Sequence, residues 1–347
     1  MNKIIIPTGY MGSGSSAITD LLSEYDGYEA ENGSFEYVFL HCPNGVFDLE
    51  DKLLNGNNAV RSDEALDSFL QEMQELFERK LWWPGNYKEK LSPRFMEYTM
   101  DYVEDLTEFK LDYYWYYQEK LDAGMFMKLC LRKILRMISA GHIVLKRPLT
   151  HTPMRIAIPD PEVFYEKTKK YLERLFEEMG IRDKNLILDQ LLLPFNLHRM
   201  KHYFGDNVEC FVVQRDPRDV FISNKYVWKK MDCPVPYPID PMKFCRYYRK
   251  LREMYREIDN PHIHLICFED LIYNYEETVS VIEKALGLSG SQHKDFQKCF
   301  DPSKSIQNTQ LFRKKEYREE MQILERELKE YLYEFPYERE VCLDKAF

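Results

Sequence analysis

The chain has no CxxC pair among its eight cysteines, Cys42, Cys130, Cys210, Cys233, Cys245, Cys267, Cys299 and Cys342. That argues against a zinc ribbon or a thioredoxin-like redox motif. No apolar run reaches about eighteen residues, so no membrane span is expected. Positive charge is in deficit: 48 Lys and Arg stand against 58 Asp and Glu, a net charge of −10. A general nucleic-acid binder would be basic, although a local basic pocket can still hold an anionic nucleotide. No signal peptide precedes the first apolar run, and the expectation is a cytoplasmic protein. Internal repeats and low-complexity linkers are missing too.

What is present is an ordinary globular composition over 347 residues, rich in aromatics with 25 Tyr and 21 Phe. That length suits one large domain with insertions, or two modest ones. Short runs rich in Ile, Leu and Val fall at residues 3–7, 142–146, 186–189, 208–214 and 262–268, with a weaker one at 28–31. They lack polar alternation, as strands buried on both faces should. Helical patterns lie between them at 15–25, 161–179, 195–204, 217–229, 241–258 and 275–286. Such alternation predicts a three-layer α/β fold, a parallel sheet flanked by helices, which the G-x-x-x-x-G turn after the first strand makes P-loop-like. Residues 63–140 differ: helical over 64–80 and much of 109–139, aromatic and charged. They read as a helical insertion within a single domain. The tail at 316–333 reads as a charged amphipathic helix with a solvated face.

Three blocks carry chemistry. The first is the turn Thr8-Gly9-Tyr10-Met11-Gly12-Ser13-Gly14-Ser15-Ser16 between the first strand and a helix. Its glycines let the backbone curl, and the helix N-terminus favours an anion. The G-x-x-x-x-G spacing of a P-loop is kept, but Ser15 stands where that motif demands lysine. The second block is Gln214-Arg215-Asp216-Pro217-Arg218-Asp219-Val220, with Ser223 further along the helix. Ligands of parallel sheets sit at the carboxyl ends of strands, so Arg215 is placed to clamp a phosphate, with Ser223 on the same side. The alternative is a surface pair with Asp216 or Asp219. The third is Phe268-Glu269-Asp270-Leu271 before a helix closing in Leu286-Gly287-Leu288, where Glu269 and Asp270 suit capping or a structural hydrogen bond.

Together these blocks resemble the sulfotransferases that use 3′-phosphoadenosine 5′-phosphosulfate (PAPS). The loop Met11–Ser16 resembles that family's phosphosulfate loop. Arg215–Val220 with Ser223 resembles its 3′-phosphate motif, and Phe268–Leu271 its third element. The resemblance spans both ends of the chain but not the helical middle. It implies PAPS as co-substrate, held by Gly12, Ser13, Gly14, Ser15 and Ser16 at the 5′ end and by Arg215 and Ser223 at the 3′-phosphate. The acceptor it implies is a hydroxyl of a carbohydrate or other small molecule, with no metal required. Residues 303–309, with Arg313 and Lys314, resemble the loop that closes over the nucleotide; a plain basic surface loop is the alternative. Trp82, Trp83 and Tyr113–Tyr117 are candidate stacking surfaces for sugar rings, or simply core.

One departure stands out. The family carries lysine or arginine where this chain has Gly12, and that cation balances charge on the leaving oxygen. Lys146, after a strand, is the first substitute, with Arg147, Arg155 and Lys201 behind it. For the general base, Glu29, Glu31, Glu36 and His41 are in range. Glu36 is preferred, because its apolar setting favours a raised pKa; the alternative is a surface residue beside a buried aromatic. His198 and His202 share a helix face but have no carboxylate at matching spacing to make a zinc site. A P-loop kinase remains open, since residues 186–189 mimic its acidic second strand. So does a non-catalytic nucleotide binder that has lost the lysine.

Overall fold

Residues 3–30, 35–79, 84–113, 123–144, 153–179, 184–229, 235–254 and 259–340 are described by a computed structural model. Five strands, β1 (Ile4–Gly9), β2 (Tyr28–Ala30), β5 (Asn185–Ile187), β6 (Val208–Gln214) and β7 (Ile263–Cys267), form one sheet in the order β2-β5-β1-β6-β7. Every pairing in it is parallel. Parallel strands need crossovers, and the crossover helices must cover both faces. Accordingly Ile4 and Ile6 of β1 belong to one buried cluster, while Ile5 between them belongs to another. The chain is an α/β protein with a parallel sheet between two helical layers.

Helix boundaries follow local chemistry. The Asn58 side chain accepts from the N–H groups of Val60 and Arg61 and starts the Ala59–Glu78 helix. Asp216 and Asp240 each cap a helix whose first residue is proline. Both devices satisfy N–H groups that a helix start leaves orphaned. Gly287, with φ +69°, ends the Tyr275–Leu286 helix in the left-handed conformation that glycine adopts without strain.

The Ala59–Glu78 helix buries Ala65, Leu66, Phe69, Met73 and Leu76 along one stripe. With the Phe95–Leu106 helix it joins the same apolar cluster as β1. The two ends of this region depart from the sequence reading. Residues 109–111 are a strand, β3 (Phe109–Leu111), paired antiparallel with β4 (Met154–Ile156). This pair is anchored by Ser62, which donates to Ala157 O and accepts from Ala157 N. The strand expected at 142–146 is contradicted over its described part: His142, Ile143 and Val144 are exposed and outside any strand. Apolar residues there read as a core strand because sequence alone does not register exposure.

Candidate active site

Because all strands of the sheet run one way, their carboxyl ends form one edge. Gly9 at the end of β1 lies opposite Val213 of β6, and Gln214 lies opposite Cys267 of β7. The three sequence blocks therefore leave the sheet side by side.

The loop after β1 is shaped by its glycines. Gly12 and Gly14 have φ of +79° and +84°, values that glycine reaches without strain. Their α-carbons are also crowded. A β-carbon on Gly12 would lie 2.8 Å from the Trp228 ring, and one on Gly14 would lie 2.8 Å from Phe268. At Gly9 a β-carbon would collide with the Ser13 hydroxyl, which is folded beneath the loop. Ser13 N donates to Tyr10 O, and that closes the turn. Among the described residues no backbone acceptor takes the N–H of Gly14, Ser15 or Ser16. Ser15 Oγ accepts from Gln190 Nε2 at 2.8 Å, and Gln190 Oε1 accepts from Thr8. Gln190, three residues past β5, thus braces the cradle. We expect Gly14→Ala to cost about 1–3 kcal/mol of stability through backbone strain and the Phe268 contact. Thermal unfolding against Gly205→Ala, a positive-φ glycine in open space, separates the two causes: equal losses would show that the contact contributes nothing.

Arg215 is 4 % exposed. Its Nη1 donates to Gly12 O at 3.0 Å and its Nη2 to the Asn308 carbonyl. The guanidinium lies 5.1 Å from the centre of the Phe268 ring, the ring that also touches Gly14. The arginine block, the loop and the Phe268 block thus meet at one point. Arg215 is buried rather than on the surface, and its charge acts on the Asp219 carboxyl. Asp216 accepts from Arg218 and from Tyr333 N, and Asp219 accepts from the N–H groups of Gln310 and Leu311. Ser223 is fully buried, and its hydroxyl, like that of Ser13, has no hydrogen-bond partner among the described residues. A buried hydroxyl left without a partner costs stability, and both lie on segments that frame the cradle. The helix carrying Ser223 widens into a π-helical turn over Ser223–Trp228, a feature common at functional sites. The next residue, Asn224, holds Tyr237 by paired bonds, and Tyr237 OH donates to Met11 O of the loop.

Glu269 accepts from Asp216 N, and burial pushes its carboxyl up to about 8. Asp270 accepts from Asn274 and Tyr333. Both residues thus make structural hydrogen bonds; the Glu269 side chain makes no cap bond to the helix it precedes. From the segment 303–309, the Asn308 carbonyl accepts from Arg215 Nη2. Arg313 and Lys314 instead line a groove with Lys315, Arg318 and Arg339, whose lining includes no residue of the cradle.

The acidic side of the site lies at the end of β5. Burial raises Glu36 to about 7. Asp189 is raised to about 8, by burial first and then by the nearby Glu36 charge. Tyr37 N donates to Asp189 O and ties the two segments together. Two carboxyls in one apolar setting titrate apart, and the lower one is fit to accept a proton near neutrality. Of the other base candidates, Glu29 is paired with Lys184 on the surface. The His41 ring bonds Gln190 O, and burial lowers its pKa, which suits a neutral structural role. Glu31 lies outside the described residues.

Lys146, Arg147, Trp82, Trp83 and Tyr114–Tyr117 also lie outside them. Arg155 is engaged with Asp67 and Glu104, and Lys201 is exposed on a short helix. His202 stacks on Tyr165. Among the described residues no group of three or more His, Cys, Asp and Glu is arranged to hold a metal.

One cation escaped the sequence reading. Arg252 stacks on Tyr10 of the loop, its guanidinium carbon 3.4 Å from the ring centre. Its Nη2 donates to Tyr248 OH, which in turn donates to Arg215 O. Its Nε and Nη1 are buried without a hydrogen-bond partner among the described residues. A half-buried guanidinium with two enclosed N–H-bearing nitrogens lacking partners beside an anion cradle is a candidate ligand for that anion.

No protein-family model and no curated protein sequence matches the chain. Solved structures similar to it include the sulfotransferase domain of the Synechococcus PCC 7002 olefin synthase, at 14 % identity and a TM-score of 0.37, covering 96 % of this chain and 94 % of that one. The sulfotransferase domain from the curacin biosynthetic pathway gives 13 % identity and a TM-score of 0.38, covering 97 % and 99 %. Sulfotransferase STF1 from Mycobacterium tuberculosis H37Rv gives 12 % and 0.34, covering 85 % and 70 %.

Proposed function

We propose that the chain is a sulfotransferase that moves the sulfuryl group of PAPS to a hydroxyl of a carbohydrate or other small-molecule acceptor. The observation that carries this reading is the convergence of a glycine cradle, the buried Arg215 and two partnerless buried hydroxyls on one sheet edge. A nucleotide with anionic groups at both its 3′ and 5′ ends fits that donor set: it supplies the acceptor oxygens that Ser13, Ser223 and the cradle N–H groups lack among the described residues. PAPS supplies an activated sulfuryl group on a phosphosulfate anhydride.

The chain's own residues then have distinct roles. The N–H groups of Gly12 to Ser16, with the Ser15 and Ser16 hydroxyls, hold the 5′ end. Arg215 and Ser223 hold the 3′-phosphate. Glu36 takes the proton of the acceptor hydroxyl as its oxygen bonds to sulfur. A cation, Lys146 or Arg252, balances the charge left on the phosphate oxygen when its bond to sulfur breaks; adenosine 3′,5′-bisphosphate departs. With Glu36 raised to about 7, activity should climb as pH rises through about 7, where the carboxylate forms. Glu36→Gln should lower the rate by about a hundredfold and flatten that limb. A variant that keeps the wild-type limb would remove Glu36 from the role.

The reading is tested by calorimetry with adenosine 3′,5′-bisphosphate in metal-free buffer, beside ATP with magnesium. Binding of the first supports it; binding of ATP alone would favour a kinase and sink it. Transfer of labelled sulfate from PAPS to a panel of hydroxyl acceptors then separates an enzyme from a nucleotide-binding relic.

A further inference from the structure

The Ala123–Ile138 helix differs from the other long helices in burying none of its side chains. Placed at 100° per residue, Phe126, Met127, Cys130, Leu131, Ile134, Met137 and Ile138 fall within an arc of roughly 140°. These are not half-covered side chains: Phe126 is 63 % exposed, Met137 72 % and Ile138 79 %. Ile143 and Val144 continue the exposed apolar surface beyond the helix. Contiguous exposed apolar surface on a folded chain marks a docking face.

Charge identifies the occupant. Lys128, Arg132, Lys133 and Arg136 lie on the remaining arc, between the half-buried Met125, Leu129 and Leu135, and no acidic residue occurs from 123 to 144. This is a cationic strip on a chain of net charge −10. An apolar arc this broad exceeds the narrow seam that a partner helix would cover. A wide apolar face bordered by Lys and Arg, with no Asp or Glu, is the pattern of a helix lying in the plane of an anionic bilayer. At 16 residues with four Lys and Arg the helix is too short and too charged to span a bilayer, and the mode proposed is interfacial.

We propose that this helix seats the protein on an anionic lipid surface. The apolar arc enters the headgroup boundary, and the basic residues face the lipid phosphates. This rests on the helix alone and stands whether or not the nucleotide reading holds.

The test is co-sedimentation of the full chain with vesicles of phosphatidylcholine, alone or with about one third phosphatidylserine. The protein should pellet with the anionic vesicles, stay in solution with the neutral ones, and be released by salt. Neutralising three charges with Lys128→Gln, Lys133→Gln and Arg136→Gln should weaken binding by about a hundredfold. Leu131→Asp with Ile134→Asp should abolish it. These side chains are exposed, so the unfolding midpoint should not move. Failure to pellet with anionic vesicles overturns the proposal, as does pelleting that neither variant reduces. A concentration-dependent dimer that Leu131→Asp dissolves, without any vesicle binding, would assign the face to a second copy of the chain.

Discussion

Arg215→Ala is expected to weaken binding of adenosine 3′,5′-bisphosphate by about a hundredfold or more if Arg215 holds the 3′-phosphate as proposed, because a buried charge-assisted contact would then be lost. The same change removes the bonds to Gly12 O and the Asn308 carbonyl, so the loop may not be blamed separately from the clamp on this variant alone. Ser223→Ala resolves the matter. Its hydroxyl has no partner among the described residues, so the folded chain loses no bond and stability should hold or rise. Affinity should still fall about three- to tenfold, the worth of one hydrogen bond. Calorimetry on both variants, beside their unfolding midpoints, checks this. Unchanged affinity in Arg215→Ala would end the clamp assignment.

The second large effect concerns the cation. Arg252→Met keeps the bulk against Tyr10 and removes the charge. If Arg252 balances the leaving oxygen, sulfate transfer should slow by about a hundredfold, while bisphosphate binding changes far less. Lys146→Met is the matched comparison. A hundredfold loss in Lys146→Met with a normal rate in Arg252→Met would hand the role to Lys146 and leave Arg252 as packing for the loop. Single-turnover rates with saturating PAPS are the measurement, since they isolate the chemical step from product release.

The parts legible in the sequence were those whose signal is local. Gly12 and Gly14 announce a turn that needs positive φ, and Asp216-Pro217 announces a helix start; both lie within a few residues of the chemistry they position. The unpatterned runs at β1 and β6 read as buried parallel strands for the same reason; the run at β7 is parallel too, but it forms the sheet's edge and leaves Leu265 exposed, so its expected burial on both faces does not hold. Features decided by distant contacts were not legible. β3 and β4 are three residues each and pair across a long separation, too short to show a two-residue period. Ile143 and Val144 have strand composition, yet their exposure is set by what fails to cover them. Arg252 was hidden by its company: Arg246, Arg249 and Lys250 share its helix, and a basic run reads as a solvated face. Only its stacking on Tyr10 separates it from them. The raised carboxyl of Asp189 was invisible too, because residues 186–189 were read for a metal-binding acid and not for burial.

The parallel register makes the sheet a ruler for the site. The cradle, Arg215 and Phe268 leave the same edge because Gly9 lies opposite Val213, one residue before the end of β6, and Gln214 lies opposite Cys267 at the end of β7. Each residue of strand spans about 3.3 Å and turns its neighbour to the opposite face. One residue inserted into β1 would lift the cradle by that amount, beyond reach of the 3.0 Å bond from Arg215 to Gly12. It would also exchange Ile5 with Ile4 and Ile6 between the two helical layers. Strand length is therefore held as tightly as any side chain at the site, although no strand residue below Gly9 need touch a ligand.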